Sequence, residues 1–228
     1  MKKKSVVLFS VALALFVLFA AFTVLVAFCD TAVITYASGE QAEIGFAGIN
    51  QAVFKAIGEN ALWYDFTEFL GVIALGVAAI FALVGLYQLL TRKRLVAVDR
   101  QILFLAIFYI LVGCFYVLFE LLVINYRPVL VDGALEASYP SSHSMLAICI
   151  FMSAPLASRR LIEDRVQRTV VTVLCVLLTA LTVVGRLLSG VHWFTDIIGA
   201  ALLSAALVTL YAGAVAHFKR SRNGKTEE

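Results

Sequence analysis

Asn125-Tyr126-Arg127-Pro128, Tyr139-Pro140-Ser141-Ser142-His143, and Gly185-Arg186-Leu187-Leu188-Ser189-Gly190-Val191-His192 running on into Trp193-Phe194-Thr195-Asp196 are three polar blocks set in an otherwise oily sequence. Each stands at the end of a long apolar run, where a membrane-spanning helix meets water. Between them they hold two of the three histidines of the chain and most of the polar residues that hydropathy does not explain.

The surrounding composition sets the class. Of 228 residues, 62% are hydrophobic and 14% charged, with a mean hydropathy of +0.98, against about a quarter charged in soluble domains. This is an integral membrane protein. The net charge of +3 comes from clusters beside apolar runs, a pattern of lipid head-group attraction and topology control that argues against a nucleic-acid partner. Cys29, Cys114, Cys149 and Cys175 show no paired spacing, and three of them lie inside apolar runs. Neither a disulfide framework nor a zinc site follows.

Met1-Lys2-Lys3-Lys4 precedes an apolar run over residues 5–28. The run exceeds the usual signal-peptide core and lacks a small-x-small cleavage site, so it reads as an uncleaved transmembrane helix. Residues 29–68 are polar, with six acids and one lysine. Within them Ile49, Ala52, Val53, Ala56 and Ile57 recur at helical spacing, with Asn50, Gln51, Lys55 and Glu59 off the stripe, which predicts a short amphipathic helix on the membrane surface. Trp63, Tyr64 and Phe66 form an interfacial aromatic cluster. Apolar runs over 69–90, 101–124, 143–157, 170–188 and 197–216 follow, most near the roughly 20 residues that span a bilayer. The expected fold is all-α: one domain over residues 1–228, a polytopic bundle of six transmembrane helices with the surface helix between the first and second.

Orientation follows from the basic residues, which favour the cytoplasmic side. Fifteen of them, Lys2 to Lys4, Arg92 to Arg100, Arg159 to Arg168 and Lys219 to Lys225, fall at one set of helix ends, and only Lys55, Arg127 and Arg186 at the other. Both termini are expected in the cytoplasm of a multi-pass cell-membrane protein, and all three polar blocks on the outer face.

Ionisable residues in membrane helices are costly enough that function is their default explanation. Arg127 and Arg186 present planar forks of donors suited to an anion with several oxygens. Ser141 and Ser142 open an apolar helix, so their N–H groups offer a phosphate site at its N-terminus. His192 and Asp196, four apart, share a helix face, where the carboxylate can fix the tautomer that leaves Nε2 free to attack phosphorus. His143 is then the donor of a proton to the leaving oxygen. Alone, each feature has a plain structural reading as a surface pair, a loop or a helix cap; together on one side they point to phosphoryl transfer.

These residues resemble the type-2 phosphatidic acid phosphatases, integral membrane lipid phosphatases related to vanadium-dependent haloperoxidases. The family pattern is Lys-x6-Arg-Pro, Pro-Ser-Gly-His and Ser-Arg-x5-His-x3-Asp. Arg127-Pro128, Pro140-Ser141, His143, Arg186, His192 and Asp196 match it at the required spacing, and the resemblance covers residues 120–196 and the six-helix layout. It implies that His192 forms a phosphohistidine, Asp196 orients it, His143 donates the proton, and Arg127, Arg186, Ser141 and Ser142 hold the phosphate, with no metal ion or other cofactor. The implied partners are a lipid phosphate or diphosphate, undecaprenyl diphosphate or a phosphatidate-like lipid, and the membrane itself.

Three positions depart from the pattern. Ser142 replaces a glycine, Gly185 a serine, and Glu120 the first-block lysine. The last exchanges a cation for an anion and makes Glu120 a candidate modulator, expected to face the bundle interior and to orient Arg127 or Arg186. It also keeps a rival reading in view, a carrier or scaffold that binds a phosphorylated lipid without hydrolysing it.

Overall fold

The computed structural model describes residues 2–159 and 161–223. Of the basic residues counted above, Arg160 and Lys225 lie outside that range. Seven α-helices are present among the described residues: α1 (Lys2–Phe28), α2 (Ala47–Ile57), α3 (Ala61–Arg92), α4 (Arg100–Leu121), α5 (Ser142–Ser158), α6 (Arg165–Leu188) and α7 (Phe194–Asn223). Five of them, all but α2 and α5, are long and apolar enough to cross a membrane, and α5 is an apolar helix of 17 residues that continues through Pro155. Most helices overrun the hydropathy segments because their ends are polar but capped. Asn60 accepts the Trp63 N–H at the start of α3, and Asp164 accepts the Gln167 N–H at the start of α6. Lys93, in the left-handed region at φ 53, ends α3.

The bundle has a buried interior centred on α7. Ala200, Leu203, Ala206 and Leu207 are fully buried there, beside Phe151 of α5 and Leu105 of α4. α7 packs along α1 on one side and α5 on another. Leu13, Leu83, Ile110 and Val173 are mostly exposed on the outer faces of α1, α3, α4 and α6, an amount of bare apolar surface that suits lipid rather than water.

The all-α expectation needs one correction. Two strands, β1 (Ala32–Thr35) and β2 (Gln41–Ile44), pair antiparallel with Ala32 opposite Ile44 and Thr35 opposite Gln41. The amphipathic helix is present as α2, but it turns Ala47 and Asn50 inward while Ile49, Ala52 and Ala56 are exposed. Its apolar stripe therefore faces away from the bundle, and a polar side chain faces in. Ile44 and Ala47 pack against Trp193, so the hairpin and α2 together cover the start of α7.

Candidate active site

The three polar blocks meet at the end of the bundle where α3, α5 and α7 begin and α4 and α6 finish. α6 stops at Leu188, and Gly190 turns the chain at φ 72. Only glycine fits here, because a Cβ would overlap the Gly58 carbonyl; the same junction is tied by the Asn60 N–H, which donates to the Ser189 carbonyl at 3.0 Å. His192 follows, just outside α7 rather than on its first turn as the spacing suggests. Asp196 lies in that first turn, where Oδ2 accepts the Trp193 N–H at 2.8 Å and stands 3.5 Å from His192 Nδ1. The helix start itself thus places the carboxylate beside the imidazole.

His192 is 3% exposed, and burial, with the positive charges of Arg186 and Arg127 nearby and a further push from His143, holds it well below the usual histidine range. The ring is neutral at ordinary pH. Its Nε2 is buried and has no hydrogen-bond partner among the described residues. Neutral imidazole with a free Nε2 and a carboxylate on the Nδ1 side is the form that can attack phosphorus.

Arg186 is fully buried in the last turn of α6. Its Nη1 donates to Thr67 Oγ1 at 3.2 Å and to Glu68 Oε1 at 2.9 Å, and the guanidinium lies 5.3 Å from the centre of the Tyr64 ring. Nε and Nη2 have no partner among the described residues. Gly185 makes this approach of α6 to α3 possible, since a Cβ would stand 2.5 Å from Thr67 Cγ2 and 3.0 Å from Trp63. The missing serine of the pattern is a packing requirement of this chain.

Arg127 sits in the α4–α5 connection, 8% exposed, with its Nη2 3.2 Å from Glu136 and its Nε unpartnered among the described residues. The backbone around it is pinned from the hairpin side. Tyr36 donates its hydroxyl to the Arg127 carbonyl at 2.7 Å, and burial, with Asp196 adding, raises that phenol to about 12, so it remains a donor. The Gly45 N–H donates to Asn125 Oδ1 at 3.0 Å, and Trp193 Nε1 donates to the Tyr126 carbonyl at 2.6 Å.

At the start of α5 the two serines divide their work. Ser141 is the N-cap, its hydroxyl accepting the Ser144 N–H, and its own N–H donates to the Asp196 carbonyl at 3.1 Å. Its N–H is therefore spent on locking α5 to α7, which corrects the expectation that both serine N–H groups point at an anion. The N–H groups of Ser142 and His143 have no partner among the described residues. His143 Nε2 lies 3.0 Å from Glu68 Oε2, and its Nδ1 is buried and unpartnered.

Glu120 is exposed near the end of α4 and lines a small recess with Ser138, Pro140 and Ser142. It does not face the bundle interior, and the carboxylates that meet Arg186 and Arg127 are Glu68 and Glu136 instead. Glu68 was masked in the sequence by the aromatic cluster before it; its signal was an acid at the threshold of an apolar run. Asn50 is a second supporting residue, one whose position off the stripe of α2 did not reveal its buried role. It is fully buried, donating to the Gly45 carbonyl at 2.8 Å and Thr195 Oγ1 at 2.9 Å and accepting the Thr195 N–H at 3.2 Å.

No curated protein matches the sequence. The fold is similar to the crystal structure of the first transmembrane PAP2 type phosphatidylglycerolphosphate phosphatase from Bacillus subtilis, with a TM-score of 0.63 at 16% identity over 92% of this chain and 96% of that one. The PAP2 superfamily model matches residues 105–220, a span that takes in all three polar blocks and more than half of the chain, and the protein belongs to that superfamily.

Proposed function

We propose that this membrane phosphatase hydrolyses a lipid phosphate or diphosphate, with a phosphatidate-like lipid or undecaprenyl diphosphate as substrate, through a phosphohistidine at His192. Asp196 orients the ring, His143 protonates the leaving oxygen, and Arg127, Arg186, Ser141 and Ser142 make up the phosphate-binding set, Ser141 by holding α5 against Asp196. Glu120 acts at the rim of the site as a modulator. All of this lies in a single domain, with α1, α3, α4, α5, α6 and α7 as six spans, both termini cytoplasmic and the site outward.

The observation that carries the reading is a cluster of buried nitrogens without partners among the described residues: Arg127 Nε, Arg186 Nε and Nη2, His143 Nδ1 and His192 Nε2. Buried donors are nearly always satisfied, and these belong to residues from three chain segments whose charges act on one imidazole. A tetrahedral oxyanion would satisfy the arginine nitrogens and His143 Nδ1 together, with the lone pair of His192 Nε2 facing the phosphorus and the lipid tail left among the helices. Charge at the equatorial oxygens, which grows during transfer, then meets the two arginines.

Release of inorganic phosphate by detergent-solubilised protein, assayed on a panel of lipid phosphates, tests it. Wild type should turn over at least one of them and His192→Ala none, while remaining folded in the membrane. Binding of a lipid phosphate without phosphate release would favour the carrier or scaffold, and normal turnover by His192→Ala would remove the phosphohistidine.

A further inference from the structure

Glu68 joins the two parts of the site that differ most in task. Its Oε1 accepts from Arg186 Nη1 at 2.9 Å, and its Oε2 lies 3.0 Å from His143 Nε2. One helical turn further along α3, Gly71 leaves room for the same imidazole, since a Cβ there would stand 3.1 Å from His143 Cδ2. α3 thus fixes the ring at one nitrogen and along one edge. The nitrogens that Glu68 does not touch, His143 Nδ1 and Arg186 Nε and Nη2, are the buried ones with no partner among the described residues.

We infer that Glu68 is the positioning residue of the proton donor: by accepting from Nε2–H it stabilises His143 as an imidazolium and turns Nδ1–H toward the leaving oxygen. The inference rests on the proposed hydrolysis, in which His143 is the acid. A phosphate bound between Arg186 and Arg127 adds negative charge beside His143, and together with Glu68 it favours the imidazolium when substrate is present. As His192 Nε2 forms a bond to phosphorus, the bond from phosphorus to the leaving oxygen breaks and that oxygen takes the Nδ1 proton. His143 is left neutral, its Nε2–H still on Glu68. Water then attacks the phosphohistidine, Nδ1 takes the water proton, and the bond to His192 breaks, which restores both rings. Two histidine–carboxylate pairs therefore serve opposite ends of the reaction, Asp196 holding a neutral nucleophile and Glu68 a charged acid.

The test is the leaving-group dependence of Glu68→Gln, which keeps the shape and removes the charge. Turnover of phosphatidate in detergent micelles should fall at least about tenfold more than that of p-nitrophenyl phosphate, whose leaving group needs little protonation, while any loss through the Arg186 contact lowers both alike. Glu68→Asp, charged but one methylene short, should lie between, and its profile decides the matter if the glutamine variant does not fold. Equal losses on both substrates, or none on either, would overturn the role. A wild-type protein that releases phosphate from neither substrate defeats the hydrolytic reading instead, whereas wild-type turnover with an unchanged profile in both variants removes Glu68 alone.

Discussion

One oxygen of Asp196 faces two groups: Oδ2 accepts the Trp193 N–H at 2.8 Å and stands 3.5 Å from His192 Nδ1, which makes no hydrogen bond among the described residues. The bond to the backbone keeps the carboxylate where it is whether or not the imidazole moves. In unliganded sites such catalytic contacts are often long, and this one is poised to shorten as charge builds on the ring during attack.

The low proton affinity of His192 sets an expectation for pH. In the proposed mechanism the neutral ring is the nucleophile, and a pKa held well below 6.5 keeps it neutral to lower pH. The acidic limb of kcat/KM should therefore lie below the ordinary histidine range. For stability the sign is the same: the unfolded chain takes up the proton first, so stability is lost as pH falls through 6.5 toward the folded value. A pH–rate profile on an aryl phosphate, with an acidic limb at or above 6.5, would contradict the burial of the nucleophile.

Gly185→Ala tests the contact between α3 and α6. Its Cβ meets Thr67 and Trp63, so the helices must part, at a cost of about 1–3 kcal/mol, and Arg186 moves with α6. Thermal unfolding in detergent should fall, and KM should rise more than kcat drops. Gly185→Ser, which restores the residue of the pattern, should be no better tolerated.

Asn50→Ala removes the side chain that joins α2 to the start of α7. The Thr195 N–H and the Gly45 carbonyl lose their buried partner, which costs about 1–3 kcal/mol. Because Thr195 lies beside Asp196, activity should drop as well, though far less than in His192→Ala. Full activity with unchanged unfolding would show that α2 does not brace the site.

Topology can be read by chemistry. In a chain with Cys29 replaced by serine, Ala134→Cys in the exposed α4–α5 loop should react with an impermeant thiol reagent added outside intact cells, and Gln167→Cys at the exposed start of α6 should not. The reverse pattern would move the site to the cytoplasmic face.

The site was legible where a polar residue interrupts a hydrophobic run at a fixed spacing, which is how Arg127, His143, Arg186, His192 and Asp196 stand out. Their supports were not. Glu136 and Tyr36 come from polar stretches in which nothing distinguishes a buried contact from a solvated one. The apolar stripe of α2 faces out as a surface helix requires, but the periodicity that sets Asn50 off that stripe does not reveal that the opposite face packs on the start of α7. The hairpin escaped because its strands have four residues each, too few for alternation to register. The helices themselves were visible, since hydropathy marks apolar cores, and their true ends depend on caps at Asn60, Ser141 and Asp164.

The packing of α7 along α1 joins the first helix to the last, with the Phe9 ring 6.3 Å from that of His217. Asp196 belongs to that last helix, and the His192 turn is held by α2 and the hairpin through Trp193 and Thr195. During synthesis, then, a chain with α1 to α6 already in the bilayer has its arginines, Glu68 and His143 but no oriented nucleophile. On the proposed mechanism the nucleophile is oriented only once α7 lies against α1.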